Sequence, residues 1–317
     1  MTDILRFFRH CSYDAGELTR VRQMLRSNGT SLILPYDQFI EHDCRHLEAD
    51  SDAGNPDYIL DLAIAGGYNA VAIHYGLARR FWARTEGAVP LLLKINGKTS
   101  FPSQAQAISS HTSWVEDAGR LGAVGVGYTM YYGSPRQDED LPQLAEVRRR
   151  CEELGLPLVV WAYPRGEAID AKGGRDSSYA LESAARMAAE MGATIIKSNI
   201  PKPAPQGFED NNDVPSYFRG IEAELRALGE LEQAQERARR VVRAAQGVPV
   251  LFSGGSKKGD DDLMAHAKAA VDAGAFGFIF GRNMWKRART HALEITEKVQ
   301  GVLDSSRGPQ EGFRGRA

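Results

Sequence analysis

Short apolar runs alternate with helical patterns along most of this chain of 317 residues. The runs are nearly continuous in apolar residues, which is typical of parallel strands covered by helices on both faces. Glycine or proline separates several of them from the helical pattern before. Eight such units over about 250 residues predict an α/β fold, a (β/α)8 TIM barrel. The predicted strands span residues 32–37, 69–74, 89–96, 123–130, 157–163, 193–199, 249–255 and 277–283.

One domain, residues 1–304, accounts for this alternation. A doubly wound open sheet is the alternative, but no G-x-G-x-x-G motif follows the first predicted strand. Residues 1–31 form an N-terminal extension, where Leu18, Val21 and Leu25 predict an extra helix over residues 15–26. Residues 305–317 are almost without apolar side chains, so we expect a disordered tail.

Polar segments interrupt the regular rhythm after three of the predicted strands. They predict long βα loops, which often carry function on a barrel. Another helical pattern is heavily charged and predicts one long helix with a solvated face or a subunit contact. The three loops span residues 38–54, 164–178 and 201–214, and the charged helix spans residues 217–245.

Composition excludes several classes of protein. Charged residues make up 25% of the chain and the net charge is −2, which does not favour nucleic acid or an anionic membrane as a partner. Cys11, Cys44 and Cys151 are scattered and match neither a metal site nor a disulfide framework. No segment resembles a signal peptide or a membrane span. We therefore expect a soluble, cytoplasmic protein without a bound metal or cofactor.

Lys197 is the first candidate for chemistry, because an apolar strand over residues 193–199 ends around it. Strand alternation places Ile195, Lys197 and Asn199 on one face. Burial favours the neutral form of an amine, and a neutral amine can form a Schiff base with a ketone. The alternative is a strand-end lysine that reaches water.

In a barrel, the other strands deliver side chains to the same end. Asp37 and Tyr163 are candidate acid and base groups, while Trp161 is either a substrate contact or a packing wall. Lys94 is a candidate substrate contact, although we favour a structural ion pair that keeps Asp37 ionised. His74 more often completes a hydrogen-bond network than performs catalysis. No cluster of His, Cys or Asp has the spacing of a metal site.

The seventh and eighth predicted strands end in glycine-rich segments. Barrels frequently bind phosphate with the loops after these two strands. Glycine lets the backbone approach an anion closely, and an arginine adds a bidentate donor. The sequence thus predicts a phosphorylated substrate, with two ordinary strand-to-helix turns as the alternative. The candidate phosphate ligands are Ser253, Gly254, Gly255, Gly281 and Arg282.

Together these residues resemble the archaeal-type class I fructose-bisphosphate aldolases, a family also found in bacteria. The resemblance runs in order from about residue 32 to 286. It departs at Phe39, where the family usually has glycine, and this bulk could narrow the mouth or shift the loop. The matching motifs are Leu34-Pro35-Tyr36-Asp37-Gln38, Glu41-His42, Trp161-Ala162-Tyr163, Ile196-Lys197, Ser253-Gly254-Gly255 and Gly281-Arg282.

The resemblance implies a metal-independent aldolase with Lys197 as the Schiff-base lysine and Tyr163 as the proton-transfer residue. It also implies that Asp37 acts as an acid/base or orienting partner, that Trp161 lines the site, and that the protein forms homo-oligomers. Which of Asp37 and Tyr163 performs each proton transfer stays open. The alternative function is a related Schiff-base lyase, transferase or thiolase that acts on another phosphorylated ketose or diketone.

Overall fold

Eight parallel strands close into a barrel in the computed structural model, which describes residues 4–9, 13–41, 52–254 and 259–309. Each strand pairs with its neighbours in the sequence of barrel strands, and the last pairs with the first through Ser31–Gly277 and Ile33–Ile279. The predicted TIM barrel is therefore confirmed. The strands are β1 (Ser31–Tyr36), β2 (Ala70–His74), β3 (Leu91–Lys94), β4 (Gly125–Tyr132), β5 (Leu158–Pro164), β6 (Ile195–Asn199), β7 (Val250–Ser253) and β8 (Gly277–Ile279).

Two predicted strands extend too far. The third was expected over residues 89–96, but β3 ends at Lys94, and Asn96–Gly97 pairs outside the barrel with the antiparallel Ser110–His111. The eighth was expected over residues 277–283, but β8 ends at Ile279 and a short helix begins at Arg282. In both places the apolar run of the sequence continues for a residue after the backbone hydrogen bonds to the adjacent strands have ended.

Helices follow the strands and pack around the barrel. Asn55 caps one of them by accepting a hydrogen bond from the Asp57 backbone, as the Asn55-Pro56 pair predicts. Among the described residues, no helix combines the length and apolar content needed to cross a membrane. The helices are α1 (Ala15–Gln23), α2 (Gln38–Glu41), α3 (Pro56–Ala65), α4 (Tyr75–Arg80), α5 (Val115–Leu121), α6 (Gln137–Leu154), α7 (Glu167–Ala171), α8 (Ser178–Glu190), α9 (Ser216–Arg226), α10 (Glu230–Ala244), α11 (Asp260–Asp272), α12 (Arg282–Trp285) and α13 (Arg289–Asp304).

The long charged helix expected over residues 217–245 is two helices, α9 and α10. The break falls at Gly229, whose extended backbone conformation makes it the N-cap of α10. Glycine adopts this conformation easily and is a poor helix former, so the helical pattern alone hides the break. The predicted loop 164–178 likewise contains the short helix α7.

The N-terminal extension closes the end of the barrel where the strands begin. Phe7 and Phe8 are buried and meet Phe276, which precedes β8, with ring centroids 5.4 and 5.3 Å apart. The Tyr13 hydroxyl donates to the carbonyl of Thr194, which precedes β6. Substrate access is therefore expected at the opposite end, where the strands finish.

The two ends of the chain also meet. The Arg6 guanidinium donates to the carbonyl of Ser306 at 3.0 Å, so residues 305–309 lie against the N-terminal extension. The remaining part of the expected tail, residues 310–317, falls outside the described residues.

Candidate active site

A cavity of about 680 Å³ opens where the strands end. It brings together most of the residues that the sequence singled out, from the ends of five different strands. Lys94 and His74 are buried nearby and are not among the residues that line it, and Gly255 lies outside the described residues. The predicted site residues that line the cavity are Asp37, Trp161, Tyr163, Lys197, Ser253, Gly254, Gly281 and Arg282.

Lys197 is buried near the end of β6, with 5% of its surface exposed. It pairs in the sheet with Trp161 of β5, so the two side chains point into the barrel together. Its Nζ lies 4.7 Å from the centroid of the Trp161 ring and 5.4 Å from that of Tyr163. In the described part of the chain, no group accepts a hydrogen bond from this amine. The amine is thus held by aromatic walls and left open to a ligand.

Lys94 contacts the same tryptophan ring, but its ammonium is fully engaged. Its Nζ donates to the carbonyl and Oδ1 of Asn96 at 2.6 and 2.9 Å and lies 2.6 Å from Glu41 Oε1. Burial lowers the pKa of Lys94, while the carboxylates of Glu41 and then Asp37 oppose this shift. A lysine has three N–H donors, and here all three have acceptors. These contacts suit a structural ion pair and leave no proton of Lys94 directed at a ligand.

Glu41 is the ion-pair partner that the sequence did not identify for Lys94. Asp37 was expected in that role, and it acts on Lys94 through its charge, but the short contact belongs to Glu41. The helix α2 begins directly after Asp37, and Glu41 is its last residue. The Oε1 atom of Glu41 also accepts a hydrogen bond from the Thr129 hydroxyl at 2.7 Å. Its position four residues after Asp37, one helical turn away, was the signal available in the sequence.

His74 lies outside the cavity lining and makes a hydrogen-bond contact, which suits a structural role. Its Nδ1 lies 3.3 Å from the Thr112 hydroxyl, and the ring is 6% exposed. Burial, and next the positive charge of Lys94, lower the pKa of His74 to about 4. The imidazole is therefore neutral at physiological pH.

The glycine-rich segments after β7 and β8 are closely packed against neighbouring residues. Asn283 donates to the carbonyl of Gly254 at 3.2 Å, and a Cβ at position 254 would lie 2.4 Å from the same amide nitrogen. A Cβ on Gly281 would come within 3.1 Å of the Pro35 carbonyl oxygen. Both positions are therefore tight for any side chain, and the half-buried Arg282 follows directly at the edge of the cavity.

Comparison with known proteins identifies the family of this chain. The model of the DeoC/LacD family aldolases matches residues 31–287, which include every barrel strand. The chain belongs to the DeoC/LacD aldolase family.

Several relatives of this family member carry the same description. The "Fructose-bisphosphate aldolase class 1" of Thermoproteus tenax is 34% identical over 276 residues, covering 86% of this chain and 90% of the relative. Its counterpart from Halobacterium salinarum is 31% identical and covers 87% and 91%. A solved archaeal fructose-1,6-bisphosphate aldolase, with its catalytic lysine bound to a carbinolamine intermediate, superposes with a TM-score of 0.74. That structure is 30% identical and covers 90% of this chain and 99% of the solved one.

Two further residues of this aldolase-family protein escaped the sequence analysis. Arg165 lines the cavity and places its guanidinium 5.2 Å from the Tyr163 ring centroid and 5.5 Å from that of Tyr131. It continues the inward alternation of Trp161 and Tyr163, which was the available signal. A Cβ on Gly127 would lie 2.8 Å from the Trp161 ring, so this glycine makes room for the ring between the two lysines.

Phe39, the departure from the family pattern, does not reach the cavity. Its ring packs edge-on against Tyr36 at a centroid distance of 5.6 Å, and it is not among the residues that line the cavity. The ring packs against the core between the barrel and its helices instead.

Proposed function

We propose that this protein is a class I, Schiff-base aldolase. It reversibly cleaves fructose 1,6-bisphosphate to dihydroxyacetone phosphate and glyceraldehyde 3-phosphate. The description of its relatives supports this substrate, and the open cavity at the carboxyl ends of the strands supports the chemistry. The observation that carries the proposal is the Lys197 amine, which is buried against two aromatic rings beside a fully paired Lys94.

In the proposed mechanism, neutral Lys197 attacks the ketone carbon and forms a carbinolamine. Loss of water gives an iminium, whose nitrogen accepts the electron pair when the carbon–carbon bond between the α and β carbons breaks. The proton of the departing hydroxyl passes to a base, and glyceraldehyde 3-phosphate leaves. Protonation of the enamine and hydrolysis then release dihydroxyacetone phosphate and regenerate the amine.

Asp37 and Tyr163 are the proposed proton carriers. Both line the cavity with Lys197, and Asp37 is 2% exposed. A phenol beside the amine suits protonation of the enamine carbon, and a carboxylate suits the departing hydroxyl. The Arg165 guanidinium makes a cation–π contact with the Tyr163 ring, which helps to fix the phenol beside Lys197.

The proposed phosphate cradle lies at the ends of β7 and β8. Ser253, Gly254, Gly281 and Arg282 line the cavity there. Close backbone approach at the two glycines and the arginine charge suit a phosphate. Gly255 belongs to the same proposal by sequence.

We also infer a cytoplasmic homo-oligomer, in line with the family resemblance. Phe101 and Trp114 are 91% and 61% exposed, which is unusual for large aromatic side chains and suits a subunit contact. Light scattering of the purified protein tests this part of the proposal.

A coupled assay tests the proposed activity. When the purified protein is given fructose 1,6-bisphosphate, it should release dihydroxyacetone phosphate, which added glycerol-phosphate dehydrogenase reduces with NADH. The oxidation of NADH should be slower when fructose 1-phosphate is the substrate. EDTA should leave the rate unchanged, and Lys197→Met, which keeps the length of the side chain without the amine, should abolish it. No turnover of either sugar by a folded protein would contradict the proposal, as would loss with EDTA that zinc restores.

A further inference from the structure

Ser253 belongs to the proposed phosphate cradle, and its hydroxyl already donates a hydrogen bond within the protein. Ser253 pairs with Asn199 across β7 and β6, and its Oγ hydrogen-bonds Oδ1 of Asn199. An amide oxygen accepts hydrogen bonds and cannot donate them. Ser253 therefore uses its single proton on Asn199, and its lone pairs face away from that bond.

Asp176 fixes which end of the Asn199 amide faces the serine. Its Oδ1 lies 3.4 Å from Asn199 Nδ2. A carboxylate accepts hydrogen bonds only, so it selects the amide orientation that points nitrogen toward itself and oxygen toward Ser253. Rotating the Asn199 amide by half a turn would bring its oxygen against the Asp176 carboxylate, which is unfavourable.

Lys202 holds Asp176 in this position. Its Nζ lies 2.9 Å from Asp176 Oδ2, and its backbone nitrogen donates to the Asp176 carbonyl at 2.8 Å. Asp176 precedes α8, and Lys202 follows β6. The contact therefore ties together two of the long loops, and both residues line the cavity.

We propose that Asp176 is a positioning residue that withholds the Ser253 hydroxyl from phosphate through Asn199. The proposal rests on the phosphate cradle of the proposed function. A phosphate oxygen at the cradle meets the lone pairs of Ser253 until the bond to Asn199 breaks or its amide rotates. Asp176 opposes both changes, so it sets the phosphate affinity of the site.

Asp176→Asn is the informative change. An amide at position 176 can donate to Asn199, which lets the Asn199 amide rotate and donate its own N–H to Ser253. The Ser253 proton is then free for phosphate. The substitution also removes a negative charge near an anion site, which tightens phosphate binding regardless of Ser253.

A double-mutant cycle with Ser253→Ala separates these two effects. We expect Asp176→Asn to lower both the Kd for inorganic phosphate, measured by calorimetry, and the KM for fructose 1,6-bisphosphate by roughly three- to ten-fold, the scale of one hydrogen bond. The gain should shrink to the charge effect alone when residue 253 is alanine. Borohydride trapping at Lys197 should be retained throughout. Asp61→Asn, which breaks the exposed pair with Arg289, is the matched control and should change neither constant.

An equal gain with serine and with alanine at position 253 would overturn the proposal, because Asp176 would then act by charge alone. Asn199→Ala gives a second route, since it frees the serine without altering any charge and should tighten inorganic phosphate by a similar factor. An unchanged Kd in folded Asn199→Ala would also overturn it. If the wild-type protein cleaves the sugar and the cycle is additive, this inference fails and the proposed function stands. If the wild type cleaves no phosphorylated ketose, the function itself fails.

Discussion

Two lysines contact the Trp161 ring, and hydrogen bonding separates their roles. Lys94 has acceptors for all three of its protons, while Lys197 has none among the described residues. We predict that borohydride with dihydroxyacetone phosphate adds one reduced substrate group, the substrate less water plus two hydrogens, to Lys197. Peptide mapping by mass spectrometry checks the position. An adduct on Lys94 or on the exposed Lys202 would contradict this assignment.

Tyr163 tests the proton-transfer step at the same scale. Its ring lies beside the Lys197 amine, and phenylalanine keeps the ring without the acidic hydroxyl. General acid–base groups contribute about 10²–10⁴-fold, so Tyr163→Phe should lower kcat by that factor. Borohydride trapping should survive, because Lys197 and the cradle remain. A variant that keeps most of its kcat would leave Asp37 as the proton carrier.

His74 should make stability depend on pH. The unfolded chain binds a proton at its ordinary pKa near 6.5, whereas burial lowers the pKa of folded His74 to about 4. The stability that neutral His74 contributes is full above the unfolded pKa and is lost as the pH falls through the folded pKa. Between pH 7 and 4, urea unfolding should show the wild type losing up to roughly 3 kcal/mol more than His74→Asn. Parallel curves for the two proteins would be the contrary result.

At the scale of elements, the sequence was sufficient for the eight strands and their order. A buried parallel strand appears as an apolar run in its own sequence, as around Val160 and Ile196. It can therefore be recognised without knowing which strands it pairs with. Alternation along β5 and β6 also predicted that Trp161, Tyr163 and Lys197 would share the barrel interior. The ends of strands and helices were predicted less well, as the end of β8 and the break between α9 and α10 show. Where an element ends depends on hydrogen bonds to the adjacent strand or to a capping residue, and these are not visible in the local sequence pattern.

The pairing of Lys94 with Glu41 could not be predicted for a related reason. Helical spacing places Glu41 near Asp37, but the choice between two carboxylates depends on the distance between β1 and β3 and on Thr129 of β4. Such contacts between distant segments leave no periodic trace in the chain. The same holds for the tie between Asp176 and Lys202.

Gly127 shows how one strand position supports the site. A methyl group there would lie 2.8 Å from the Trp161 ring and 3.1 Å from the Lys94 side chain. Gly127→Ala should lower the free energy of unfolding by about 1–3 kcal/mol, the usual cost of overpacking, and should also reduce kcat. Gly220→Ala in α9 is the control, since nothing lies within 4 Å of the added carbon and alanine favours helix. Denaturant melts that rank the two variants equally would contradict this view of β4.

The molecule as a whole is a barrel with one closed end and one reactive end. The helix in the N-terminal extension was predicted, but the packing of the segment before it was not, because Phe7 and Phe8 meet Phe276, more than 250 positions away. Their cluster continues directly into the barrel interior with Ile33, Leu92 and Val159. The interior is therefore one column of packed side chains, with the extension at its base and Lys197 near its top.

This division predicts that stability and catalysis can be separated at the base of the barrel. Phe8 is 3% exposed and packs edge-on against Tyr13 and Phe276, so Phe8→Ala should lower the free energy of unfolding by about 3–5 kcal/mol. The kcat of the folded fraction should be unchanged, because the site lies at the opposite end. Leu231→Ala, at a side chain that is 57% exposed, should alter stability by less than about 0.5 kcal/mol. Urea unfolding and steady-state kinetics on the same samples make the comparison.

Two results would contradict this division. A Phe8→Ala protein that stays as stable as the wild type would show that the extension merely covers the barrel. A variant that is folded but inactive would show that the base of the barrel affects Lys197.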